Sequence, residues 1–148
     1  MCMVMSKGND VNIEVLHSEE PKIVDQLVDG VREFNFSHMG NETSKPLSII
    51  MRDSNDTVVA GISGRTIYHK FLINVVWVSN EYRGQRLGYK LMNLAEQEAK
   101  QQGCKAAQVD TLAFQAPNFY QKCGFEIIGT APGFEGCPEQ YFLFKRYE

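Results

Sequence analysis

The stretch that decides the fold is Val76-Trp77-Val78-Ser79-Asn80-Glu81-Tyr82-Arg83-Gly84-Gln85-Arg86-Leu87-Gly88-Tyr89-Lys90-Leu91-Met92. It opens at the end of a nearly continuous apolar run, Phe71 to Val78, the mark of a strand buried on both faces. It closes in an amphipathic helix read from about Arg83 to Gln102, with Leu87, Leu91, Leu94, Ala95 and Ala99 on one face and Lys90, Asn93, Glu96, Gln97 and Lys100 on the other. A helix start offers unpaired backbone N–H groups and the positive end of the helix dipole. Gly84 and Gly88 let a phosphate approach that backbone, and Arg83 and Arg86 add positive charge. The turn therefore reads as a phosphate-binding turn, with an ordinary strand-to-helix turn carrying two solvated arginines as the alternative. It lacks the Gly-Lys-Ser/Thr ending of a P-loop and the spacing of the dinucleotide fingerprint.

Outward from this segment the pattern is mixed. Val11, Ile13 and Val15 alternate with polar neighbours and predict a first strand. Pro21 opens a helix whose apolar stripe is Val24, Leu27, Val28, Val31 and Phe34. Asn35 to Lys45, rich in Ser, Asn and Gly, reads as loop, with a helical turn as the alternative. Leu47 to Arg52 and Val58 to Ile62 form a hairpin around the Asp53-Ser54-Asn55-Asp56 turn. After the long helix, which Gly103 caps, Ala106 to Leu112 reads as a buried strand. Pro117 to Lys122 is a short helix stopped at Gly124, and Phe125 to Ile128 and Tyr141 to Phe144 are the last strands. The order β-α-β-β-β-α-β-α-β-β predicts an α/β class (an α+β mixed sheet) around one sheet. A length of 148 residues predicts one domain over 1–148.

Composition narrows the function classes. Hydrophobic residues at 43% and charged residues at 22% are those of a globular chain. A net charge of −3 argues against a nucleic-acid partner, which needs a basic face. No apolar run approaches a membrane span, so no membrane partner is expected. Met1 to Met5 is too short for a signal-peptide core. Cys2, Cys104, Cys123 and Cys137 form no C-x-x-C pair, which predicts reduced thiols, a cytoplasmic location and no metal site.

Two motifs in the right order resemble the GNAT superfamily of acyl-CoA-dependent N-acetyltransferases. Arg83-Gly84-Gln85-Arg86-Leu87-Gly88 is similar to that family's Q/R-x-x-G-x-G/A, with Arg86 in place of the middle glycine. Ala116-Pro117-Asn118-Phe119-Tyr120-Gln121-Lys122-Cys123-Gly124-Phe125 is similar to its A-x-x-x-Y-x-K-x-G-F, with Ala113 where the family often has asparagine. The resemblance runs from about Val11 to Tyr147. It implies a GNAT-like, mostly antiparallel twisted sheet and acetyl transfer from acetyl-CoA to a primary amine of a small molecule or peptide, by direct attack in a ternary complex.

The resemblance also implies roles. The pyrophosphate of acetyl-CoA would lie on Gly84, Gln85, Arg86, Leu87, Gly88 and Tyr89, with Arg83 beside them and Asn118 at the second motif. The Arg86 side chain would either add a phosphate contact or lie in water. The backbone of Val76 and Val78 would pair with the pantetheine arm like an added strand, and the Val76 N–H would polarise the thioester carbonyl. Tyr120 would give a proton to the departing sulfur.

The general base stays open among Asp110, Glu81, His69 and Glu135, with Asp110 first because its strand borders the cofactor cleft. Acceptor pockets in the family come from two segments, here about Asn35 to Lys45 and Ala131 to Gln140. These carry Phe36, His38, Met39 and Glu42, and Phe134, Glu135 and Glu139. Homodimers are frequent in the family, so a homodimer is an open expectation. The rival readings are a non-catalytic acyl-CoA sensor of the same fold and a binder of another nucleotide phosphate.

Overall fold

The computed structural model describes residues 10–148; Cys2 and the Met1 to Met5 segment lie outside the described residues. The chain divides into two compact units, Met1–Asn41 and Glu42–Glu148.

In the first unit, helix α1 spans Pro21–Met39, and its proline occupies the first turn, where a missing N–H costs nothing. The helix runs on past its apolar stripe, so Asn35 to Met39 take the helical alternative as a continuation of α1. The local reason is a set of contacts one turn apart. Ser37 Oγ donates to the Phe34 carbonyl at 2.6 Å, and the Phe34 and His38 rings lie 4.8 Å apart. The strand expected at Val11 to Val15 is absent. Alternation alone does not make a strand, because its hydrogen bonds must come from a neighbour, and the six-stranded sheet draws every strand from the second unit.

In the second unit the strands are β1 (Lys45–Arg52), β2 (Val58–Ile67), β3 (Lys70–Val78), β4 (Ala106–Leu112), β5 (Glu126–Ala131) and β6 (Gln140–Arg146). Their order in the sheet is β1-β2-β3-β4-β6-β5. Every pair is antiparallel except β3 with β4, which matches the mixed, mostly antiparallel sheet expected. The β1–β2 turn forms where Asp53 Oδ1 accepts the N–H groups of Asn55 and Thr57 at 2.8 and 3.0 Å.

Helix α2 (Leu87–Gln101) turns Leu91, Met92, Ala95 and Ala99 onto β1, β2 and β3. Phe71, Ile62, Leu91 and Leu143 are fully buried at the centre of this core. The short helix α3 (Pro117–Lys122) carries Tyr120 into the same core.

Candidate active site

The one parallel pairing creates the site. β3 and β4 are paired only at Lys70–Ala106, Phe71–Ala107 and Leu72–Gln108, and then they part. The far edge of β3 is paired differently. The Ser79 N–H donates to the Val59 carbonyl at 2.8 Å, so these two form a hydrogen-bonded pair of the β2–β3 ladder. Antiparallel ladders alternate, so Trp77 opposite Gly61 and Val75 opposite Ser63 also pair into β2. The backbone groups of Val76 and Val78 then face the other way, towards the gap left by β4. Arg83 Nε already fills one of them, donating to the Val78 carbonyl at 3.0 Å.

At the foot of this gap the chain turns into α2. A single 3-10 turn, Asn80–Tyr82, comes first, and α2 starts at Leu87 rather than near Arg83. Two residues forbid an earlier start. Gly84 has φ of 82° and Arg86 has φ of 63°, both outside the helical region. The first helical bond runs from the Lys90 N–H to the Arg86 carbonyl at 3.2 Å, and Arg86 makes no side-chain cap. The N–H groups of Leu87, Gly88 and Tyr89 are thus the unpaired donors of the helix start. Gly88 is needed for a different reason than Gly84. A Cβ there would meet the Phe119 ring at 3.0 Å, so its role is to let α3 pack against α2.

The resulting cleft has a volume of about 800 Å³. Its lining includes Val76, Val78, Arg83, Gly84, Arg86, Leu87, Gly88, Tyr89 and Tyr120. Gln85, Asn118 and Asp110 are exposed and lie outside that lining. Trp77, Tyr82, Phe114 and Gln115 also line the cleft, and sequence reasoning passed over them. The Gln115 amide oxygen accepts from the Leu112 N–H at 2.9 Å and the Thr111 hydroxyl at 3.2 Å, closing the end of β4. No pattern signals such a side chain before the strand end is known.

Tyr120 is 7% exposed and packs edge-on to Phe119 and Phe125, with ring centroids 5.2 and 5.9 Å away. It is a core aromatic that also lines the cleft. Burial first, then the nearby Cys123 and Asp110, push its phenol up to about 12, so it remains a proton donor at neutral pH. Asp110 sits on β4 opposite Phe142, and its carboxylate accepts from Gln140 Nε2 at 2.5 Å.

The other base candidates are engaged or distant. His69 Nδ1 lies 3.0 Å from the Gly103 carbonyl, at the end of β3 away from the gap. Glu81 and Glu135 are exposed and outside the cleft lining. Of the carboxylates expected near an acceptor, Glu42 accepts the Tyr68 N–H at 2.8 Å and Glu139 accepts the Tyr141 hydroxyl at 2.6 Å. Burial pushes the Cys104 and Cys123 thiols up, which leaves them protonated and poor nucleophiles.

The parted sheet and the turn below it belong to a fold that known proteins share. The profile of the acetyltransferase (GNAT) family matches residues 14–125. An acetyltransferase of Agrobacterium fabrum is 29% identical over 140 residues, covering 94% of this chain and 99% of that protein. Blasticidin-S acetyltransferase of Streptomyces morookaense is 33% identical over 89 residues, covering 60% of this chain and 65% of that protein. A crystal structure assigned as an acetyltransferase of Agrobacterium tumefaciens superposes with a TM-score of 0.86 at 26% identity, covering 93% of this chain and all of that one.

The chain belongs to the GNAT acetyltransferase family. It is an N-acetyltransferase, and its cosubstrate is acetyl-CoA. The residues present fit that cosubstrate: an open strand edge, a turn of unpaired amides and a cleft of sufficient size meet at one place.

Proposed function

We propose that the protein acetylates a primary amine of a small molecule or peptide by direct attack in a ternary complex, using the cleft between β3 and β4. The observation that carries this reading is the parting of β3 from β4 beyond Leu72 and Gln108, with Tyr120 lining the cleft that opens there. The similarity to blasticidin-S acetyltransferase supports a small-molecule acceptor. The family profile crosses the boundary between the two compact units, which supports one N-acetyltransferase-like domain over 1–148.

Acetyl-CoA supplies the acetyl group as a thioester. The free N–H of Val76 binds and polarises the thioester carbonyl, and the Val78 N–H receives the pantetheine arm. Arg83, tied to the Val78 carbonyl, fixes the turn to the strand. The backbone from Gly84 through Gln85, Arg86, Leu87 and Gly88 to Tyr89 offers its amides to the pyrophosphate. Asn118 stands at the start of α3 as a further polar contact. Tyr120 holds a proton at its hydroxyl for the departing sulfur. Asp110, oriented by Gln140, takes the proton from the acceptor amine. Three described cysteines are free thiols, which supports a cytoplasmic location. The homodimer belongs to this reading as an arrangement that sedimentation would test.

The test separates binding from chemistry. Calorimetric titration of the full chain should give saturable binding of acetyl-CoA and of CoA. Tyr120→Phe keeps the ring packing and removes the hydroxyl. It should lower kcat by about 10²- to 10⁴-fold, the range of a general acid, with affinity for acetyl-CoA nearly unchanged. An unaltered kcat would remove Tyr120 from the proton-donor role.

A further inference from the structure

The cleft takes side chains from both faces of the sheet. Side chains alternate along a strand, so Val76 and Val78, which pack against the core under α2, leave Trp77 on the opposite face. All three line the cleft. Trp77 is 47% exposed, and its cross-strand neighbour is Gly61, which has no side chain to cover the indole. Across the gap, Phe114 follows the end of β4 and is 73% exposed. The turn that carries it is tied down. The Ala113 N–H donates to the Glu139 carbonyl at 2.8 Å, and the Gln115 N–H donates to the Leu112 carbonyl at 2.9 Å.

Single exposed apolar side chains are ordinary on a protein surface. These two differ in place and in company. They stand on the two sides of the gap between β3 and β4, and both line the same cleft. The rings on the α2 side pack among themselves: the Phe119 centroid lies 5.1 Å from that of Tyr89 and 5.2 Å from that of Tyr120. Trp77 and Phe114 enter no aromatic pair among the described residues. Asp110 shares the face of Trp77. Its neighbours Val109 and Thr111 are buried under the helices, so the alternation leaves Asp110 on the side away from α2.

We propose that Trp77 and Phe114 select the acceptor, and that the acceptor carries its primary amine on a flat, unsaturated ring. The inference rests on the function proposed above and names the acceptor class of that same cleft. An aromatic ring gains from stacking on another, or from meeting its edge, beyond the area that the contact buries. A saturated group gains only from the area. The amides of the turn into α2 lie on one side of the sheet, and the indole lies on the other. A ring held against the indole therefore brings its amine to the gap from the side of Asp110.

Trp77 is the single tryptophan of the chain, so the protein's indole emission reports on this wall of the cleft. The full-length protein, saturated with CoA, is titrated with 2-phenylethylamine and with 2-cyclohexylethylamine. The two amines have the same carbon skeleton and differ in the unsaturation of the ring. The aromatic amine should change the Trp77 emission saturably and bind roughly tenfold tighter than the saturated one. Phe114→Leu keeps apolar bulk and removes one ring. It should cut the preference to about threefold, with affinity for CoA unchanged. Trp77→Leu, read by calorimetry, should do the same. Both positions are exposed, so both variants should fold, and an unaltered Tm verifies it. Equal binding of the two amines, no saturable response to either, or a preference that survives both substitutions overturns the proposal and leaves the cofactor site intact. Failure of the unaltered protein to bind CoA overturns the cofactor assignment and this proposal with it.

Discussion

Tyr120 has one place in the core and, under the function proposed, a second in the chemistry. Its ring is packed between Phe119 and Phe125, and the same burial that anchors it disfavours the phenolate. A phenol raised to about 12 keeps its proton through the range where an acceptor amine loses one. The rate should therefore hold on the alkaline side until the pH nears that value. A kcat profile of the unaltered enzyme checks this. A descending limb traced to Tyr120 and centred on the ordinary phenol value of 10.0 would contradict it. Tyr120 was legible in the sequence because its motif fixes its neighbours. Arg86 was legible as a positive charge in the turn and as a departure from the motif. The positive φ that gives the departure its cost comes from the way the 3-10 turn meets α2.

At the scale of elements, α2 follows the turn proposed to bind the cofactor, and its packing on the sheet sets where that turn sits. Leu91 is fully buried at the middle of the contact. Leu91→Ala should destabilise the protein by about 2–5 kcal/mol, the range for such cavities, read as a lower urea midpoint. The outer face of α2 is tied down by Glu96, which pairs with Lys145 at 2.7 Å and Lys100 at 3.4 Å. Partial burial opposes the Glu96 charge, but the two lysines outweigh it and leave the carboxyl below its ordinary value. A lowered carboxyl stabilises the fold above its unfolded pKa, and that contribution is lost as pH falls through the folded value. Glu96→Gln should therefore lower Tm at neutral pH, and the difference should close in acid below the ordinary carboxylate range. A Tm difference that stayed constant into acid would argue against the ion pairs as its source.

Across the whole molecule, charge is distributed against its net sign. The chain carries −3 overall, yet Arg83, Arg86 and Lys122 border the two cavities beside α2, where Glu96 is matched by Lys145. Salt screens exposed charges within about 10 Å at 0.1 M. The affinity for CoA should therefore fall as salt is raised, despite the like sign of protein and ligand. Calorimetry across a salt series reads the slope directly; an affinity that rises with salt would mean that the net charge dominates.

The sequence by itself determined the order of the second unit's strands and helices and the family, because those signals are local. Apolar periodicity sets strand and helix, turn residues set the hairpin, and two short motifs mark the turn and the tyrosine on which the proposed function rests. The α3 boundaries, Pro117–Lys122, were readable in full, since a proline opens the helix and Gly124 follows it. The tertiary structure alone decided the rest. It left Val11 to Val15 without strand partners, parted β3 from β4 after three residue pairs, and set the Val76 and Val78 backbone groups towards the gap. It brought Trp77, Phe114 and Gln115 to the cleft and left Gln85, Asn118 and Asp110 outside its lining. The reason is physical: a hydrogen-bond partner or a cavity wall is a relation between distant segments, and no local pattern of residues encodes it.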